Sequence, residues 1–138
     1  YVVTYAEVQA MMIAIGIELA KLTPSRVLNH ASVDGRGFAI SGGVLNAVEN
    51  VIRRLDPDRV VKVERAENLN NCRKMLLLAK AGKKDGYLLE GMACPGGCVG
   101  GAGTLIHQNK AAANVTNFAR SSDKASALKT YDEFKKQD

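Results

Sequence analysis

The stretch Glu90-Gly-Met-Ala-Cys94-Pro-Gly-Gly-Cys98-Val-Gly-Gly-Ala-Gly103 constrains this chain more than any other segment. Cys94 and Cys98 stand four residues apart, and five of the ten residues from Cys94 to Gly103 are glycine. Thiolates are ligands for soft metals and iron–sulfur clusters. Glycine lets a backbone turn tightly around a bulky inorganic group and aim its N–H groups at it. The competing readings are a redox pair or two structural thiols. A cubane takes four protein ligands, so two cysteines amount to half of such a site.

The rest of the chain reads as alternating strands and helices. Tyr1–Val3 is a short apolar strand. Thr4-x-x-Glu7 is a capping box ahead of a helix that runs to about Leu22 and stops before Pro24. Its Val8, Met11, Met12, Ile15 and Leu19 recur at helical spacing and are expected in the core. Residues 23–36 form an irregular link. Phe38–Ile40 is a strand, and Ser41 caps a helix from Gly42 to about Leu55, broken by Asp56-Pro57-Asp58. Val60–Val63 is a strand. Asn68 caps a helix to about Ala81, and Gly82 and Asp85-Gly86 mark its exit. Tyr87–Glu90 is the strand that delivers the cysteine loop. Helices follow from about Thr104 to Ala119 and from Ser122 to the end. This alternation predicts an α/β fold, a small and mostly parallel sheet flanked by helices, within one domain spanning 1–138. Ligands in such folds gather beyond the C-terminal ends of strands, where Ile40-Ser-Gly-Gly and Glu90–Cys98 both fall.

Composition narrows the class. A chain of 138 residues with 46% hydrophobic content can bury one sizeable core. The longest apolar run, around Met11 to Ile17, is too short to span a bilayer. Three cysteines without a disulfide pattern fit a reducing cytoplasm. The net charge is +5, but Lys and Arg are spread along the chain and aromatics make up only 5%, which favours a solvated basic surface over nucleic-acid binding. Cys72 falls mid-helix among Met75, Leu76 and Leu77 and reads as a small core hydrophobe. Glu90 reads as a hydrogen-bonded carboxylate beside the ligand loop, with an acid–base group as the alternative. His30 and His107 read as ordinary polar or capping residues.

The cysteine segment resembles the third cluster-binding motif of the iron-only hydrogenases, Glu-x-Met-Ala-Cys-x-Gly-Gly-Cys-x-x-Gly-Gly-Gly-Gln-Pro. Glu90, Met92, Ala93, Cys94, Gly96, Gly97, Cys98, Gly101 and Gly103 match it without a gap. Upstream, Phe38-Ala-Ile-Ser-Gly-Gly-Val44 with Ala47 resembles that family's Phe-Gly-x-Thr-Gly-Gly-Val-x-x-Ala. The resemblance implies that Cys94 binds a four-iron, four-sulfur cluster and that Cys98 binds it and bridges to a di-iron subcluster. It also implies that Phe38, Ala39, Val44 and Met92 line an apolar pocket around the di-iron unit, which suits bound CO by excluding water.

The family's first and second motifs, Thr-Ser-Cys-Cys-Pro and Met-Pro-Cys-x-x-Lys-x-x-Glu, are absent from this sequence. The chain is therefore expected to be an excised C-terminal part of a hydrogenase catalytic domain, inactive alone and without a complete cluster. Its partners would be the N-terminal remainder of the same protein and an electron carrier such as ferredoxin or a fused iron–sulfur domain, in the cytoplasm of an anaerobic bacterium. Gly101-Ala-Gly-Thr-Leu105 stands where the family has Gly-Gly-Gly-Gln-Pro, and Ala39 replaces a pocket glycine. The form Gly35-Arg-Gly-Phe-Ala-Ile-Ser-Gly-Gly-Val44 resembles the less studied branches of the family, sensory hydrogenases included. The implied function is interconversion of protons and electrons with H2, with H2 sensing or a non-catalytic iron–sulfur or interaction module as alternatives.

Overall fold

Beyond the break at Asp56-Pro57-Asp58 the chain builds the centre of its fold. A computed structural model describes residues 1–23, 25 and 31–135. Lys62–Glu67 forms β1 and Tyr87–Met92 forms β2, paired in parallel with Lys62 opposite Tyr87 and Glu67 opposite Met92. Parallel strands need a crossover, supplied here by a helix over Leu69–Lys80. Asn68 starts that helix, its side-chain oxygen accepting the Asn71 N–H at 3.0 Å. The Asn68 backbone sits at φ 61° and ψ 155°, the one positive φ outside glycine among the described residues. Such a conformation costs about 1–3 kcal/mol and persists only where the surroundings enforce it.

In chain order the described helices are α1 (Tyr5–Ala14), α2 (Val33–Arg36), α3 (Gly43–Leu55), the crossover α4 (Leu69–Lys80), α5 (Gln108–Arg120) and α6 (Ala127–Phe134). The α/β class and the parallel pairing are as the sequence predicts. Helices α3 and α4 pack on the sheet, and α2 bridges α3 and α5. The core is thin and made of small or flexible side chains: Leu45 and Ala47 of α3, Ala66 of β1, Met75 of α4, Val99 and Ala119. Gly91 lets α4 approach β2 closely, since a Cβ there would lie 3.3 Å from the Cys72 sulfur. Cys72 is half-buried, its thiol donating to the carbonyls of Ala66 and Met92 at 3.5 and 3.6 Å. No described helix is long and apolar enough to cross a membrane.

Two expected strands are absent. Tyr1–Val3 is exposed and unpaired, because β1 and β2 bond only to each other among the described residues and a lone strand leaves its backbone groups unmatched. Phe38–Ile40 is taken up by a 3-10 turn over Gly37–Ala39, closed by the Ile40 N–H on the Gly37 carbonyl at 3.0 Å. Local closure wins there for the same reason. Helix α1 keeps its predicted capping box, with the Thr4 N–H and hydroxyl donating to Glu7 at 2.6 and 2.8 Å. It ends early, at Ala14, where Gly16 adopts φ 74°. None of its residues is buried; Met11, Ile15 and Leu19, expected in the core, are exposed.

The remaining differences come from short-range side-chain bonds. The link expected over 23–36 contains α2, capped by Ser32, whose hydroxyl accepts the Gly35 N–H at 3.1 Å. Pro24 and His30 lie outside the described residues. The helix expected from Thr104 starts at Gln108, because the Thr104 hydroxyl turns back to the Gly101 carbonyl at 2.9 Å and His107 Nδ1 takes the Asn109 N–H as the cap. The last helix starts at Ala127 rather than Ser122, whose hydroxyl donates to the Ala31 carbonyl at 2.7 Å.

Candidate metal centre

Strand β2 ends at Met92 and leads directly into the cysteine loop. A turn at Cys94, closed by the Gly97 N–H on the Cys94 carbonyl at 3.0 Å, is followed by a 3-10 turn over Cys98–Gly100. Gly96 and Gly97 adopt φ 78° and 91°. Cys94 is half-buried and Cys98 exposed, both as free thiols. The Cys94 sulfur lies against Gly101, 3.8 Å from where a Cβ would stand.

The two sequence motifs meet at this loop. The Ser41 N–H donates to the Gly96 carbonyl at 3.0 Å. A Cβ on Gly97 would stand 2.6 Å from the Ser41 nitrogen and 2.8 Å from the Ala39 carbonyl oxygen, so only glycine admits this approach. Gln108, the first residue of α5, packs against Gly96 and Gly100 from the other side. Of the expected pocket residues, Ala39 borders the loop through its backbone and Met92 precedes Cys94 by two positions. Val44 is half-buried in the first turn of α3, and the Phe38 side chain is exposed.

Two carboxylates hold this junction. Ser41 does not cap α3; the N-cap is Gly42 at φ 87°, and the capping acceptor is Glu90. The Glu90 carboxylate, buried to 8% exposure, takes the Gly42 N–H and, at 3.0 Å, the Leu45 N–H. An anion at a helix N-terminus satisfies orphan donors and complements the helix dipole. Glu90 thus is the hydrogen-bonded carboxylate that the sequence suggests, acting on α3. Glu67, at the end of β1, accepts the Gly96 N–H at 2.9 Å. That bond, then the Ser41 hydroxyl and the nearby Arg65 cation, hold the Glu67 carboxyl below the usual carboxylate range. Sequence reading missed Glu67, because only the strand register carries it beside the loop.

Soft thiolates on a glycine-rich turn suit iron–sulfur chemistry. Among the described residues no group of three His, Cys, Asp or Glu side chains gathers to hold a metal. Cys94 and Cys98 thus offer two thiols on such a turn, fewer than the four donors a cubane takes.

Comparison with known families finds a match over residues 1–102 to the family described as iron only hydrogenase large subunit, C-terminal domain. None of the curated proteins compared with the chain matches it.

Proposed function

We propose that this chain, which belongs to the iron-only hydrogenase large-subunit family, supplies Cys94 and Cys98 as two ligands of an iron–sulfur cluster at which H2 is interconverted with protons and electrons. One observation carries the reading: segments 39–42 and 90–98, the two stretches that resemble the family's motifs, meet at Glu90, Gly96 and Gly97, the last two lying between the two thiols in sequence. The bound cluster supplies the redox chemistry. The chain supplies two thiolates, a backbone turn that spaces them, and through Ala39, Val44, Met92 and Phe38 the apolar side of a pocket that limits water.

The remaining thiolates come from the N-terminal remainder of the same protein. The apolar side chains left exposed on residues 1–22, among them Tyr5, Met11, Ile13, Ile15 and Leu19, fit a surface that other protein covers. Residues 1–138 alone then carry no complete cluster and no activity, and electrons arrive from a ferredoxin or a fused iron–sulfur domain. A second reading, H2 sensing with the same group, is favoured by Ala39 and by Ala102, Thr104 and Leu105, which depart from the family pattern.

The test is iron counting and infrared spectroscopy of CO and cyanide on the full-length protein. Cys98→Ser is expected to lose the CO and cyanide bands and all H2 chemistry. Cys72→Ala should keep both, because its thiol belongs to α4 and is tied to the Ala66 and Met92 carbonyls. Retained bands in Cys98→Ser would overturn the ligand assignment.

A further inference from the structure

We propose that the Glu67 carboxylate positions the Cys94–Cys98 turn, so that metal held by these thiolates is held with the help of a side chain from β1. The inference rests on the reading of Cys94 and Cys98 as ligands. Gly96 is the middle residue of the turn, and its peptide groups are gripped on both sides. Its N–H is taken by Glu67 at 2.9 Å, and its carbonyl receives the Ser41 N–H at 3.0 Å. Glu67 lies 29 residues from Gly96 in sequence, so the bond is a tertiary clamp rather than a local turn.

The sequence around Glu67 is built to present that carboxylate. Asn68 takes its strained φ of 61° directly after Glu67, ending β1 there and turning the chain into α4. Backbone strain of this kind gathers where a site demands a fixed direction. Arg65 shares a strand face with Glu67, since residues two apart point the same way. Its guanidinium lies beside Gly42, 2.6 Å from where a Cβ would stand. Arg65 and Glu67 therefore face the two motif segments together. Charge-assisted bonds to backbone N–H groups are about twice as strong as neutral ones, and loss of a group that orients metal ligands typically weakens metal binding by about 10–100-fold.

The test uses Co2+ as the probe, added anaerobically to the reduced chain, together with amide hydrogen exchange at Gly96 and, as a control for folding, at Asn71. Wild type is expected to show thiolate-to-cobalt absorption that is lost in Cys94→Ser and Cys98→Ser. Glu67→Ala should weaken Co2+ binding by about 10–100-fold and speed Gly96 exchange, with Asn71 unchanged. Glu67→Gln keeps an acceptor and should fall between the two; it also decides the matter if Glu67→Ala unfolds.

Co2+ affinity within about twofold of wild type in both variants overturns the proposal and leaves the ligand reading standing, whether or not Gly96 exchange changes. Absence of thiolate-to-cobalt absorption in wild type overturns the proposal, whereas the ligand reading is decided by the infrared test on Cys98→Ser.

Discussion

Gly16 and Gly97 both need a left-handed backbone, at φ 74° and 91°, yet they sit in opposite kinds of surroundings. Nothing lies within 4 Å of a Cβ placed on Gly16, whereas one on Gly97 would strike the backbone of 39–41. The same contrast runs through the two regions. Among the described residues, 1–22 carry a helix with no buried side chain and one long-range backbone bond, from the Ala6 N–H to the Gly103 carbonyl at 3.1 Å. The cysteine loop is tied to β1, to the start of α3 and to α5. The chain is thus closely tied together around the cysteine turn and open over residues 1–22, where apolar side chains stay exposed.

Replacing each glycine by alanine breaks or confirms that contrast most directly. Gly97→Ala should destabilise by about 3 kcal/mol, since a strained φ is compounded by collision with rigid backbone. Gly16→Ala should cost about 1 kcal/mol, the conformational part alone. Urea unfolding midpoints on the two variants measure the difference, and equal costs would refute it.

Next in size is Glu90→Ala, which strips two bonds from the start of α3 and leaves their donors buried. About 2 kcal/mol should be lost, with faster amide exchange at Leu45. If the exchange holds, Glu90 is not the cap.

Met11→Lys on α1 should move stability by no more than about 0.5 kcal/mol in this chain, as for exposed positions generally. A loss above about 1 kcal/mol would mean that α1 packs more tightly than its exposure indicates.

The smallest effect is expected in acid. Glu67 has a carboxyl lowered chiefly by the Gly96 N–H, and Glu7 one lowered chiefly by the Thr4 N–H. A carboxyl lower in the folded than in the unfolded state contributes fully above the unfolded value, and the contribution disappears as pH falls through the folded one. Both bonds should therefore weaken as pH drops below the ordinary 4.5. Both groups are solvent-exposed enough that the gain is small. Amide shifts at Gly96 and Thr4 report them separately. Glu67→Gln should flatten the Gly96 titration and leave Thr4 alone.

The parts of this molecule that could be read from sequence are those whose partners lie within a few residues. The Thr4–Glu7 box, the Asn68 cap on Asn71 and the His107 cap on Asn109 are all of this kind. So is the glycine spacing of the cysteine turn. Tyr1–Val3 and Phe38–Ile40 look like strands because they are apolar and short, but strand formation depends on a neighbour that no local pattern reveals. Ser41 looks like a cap for the same local reason. Glu90, 48 residues from Gly42, takes that role because parallel pairing delivers it there.

The pairing of β1 with β2 has one more consequence. Side chains alternate faces along a strand, so a slip of a single residue would turn Glu90 to the opposite side and carry Cys94 about 3.3 Å along the strand axis. Both motifs would lose their alignment in one step. The two-stranded sheet therefore serves this chain as a gauge. Its register, with Arg65 opposite Glu90 and Glu67 opposite Met92, sets where the thiols stand, and no intermediate setting exists between right and wrong.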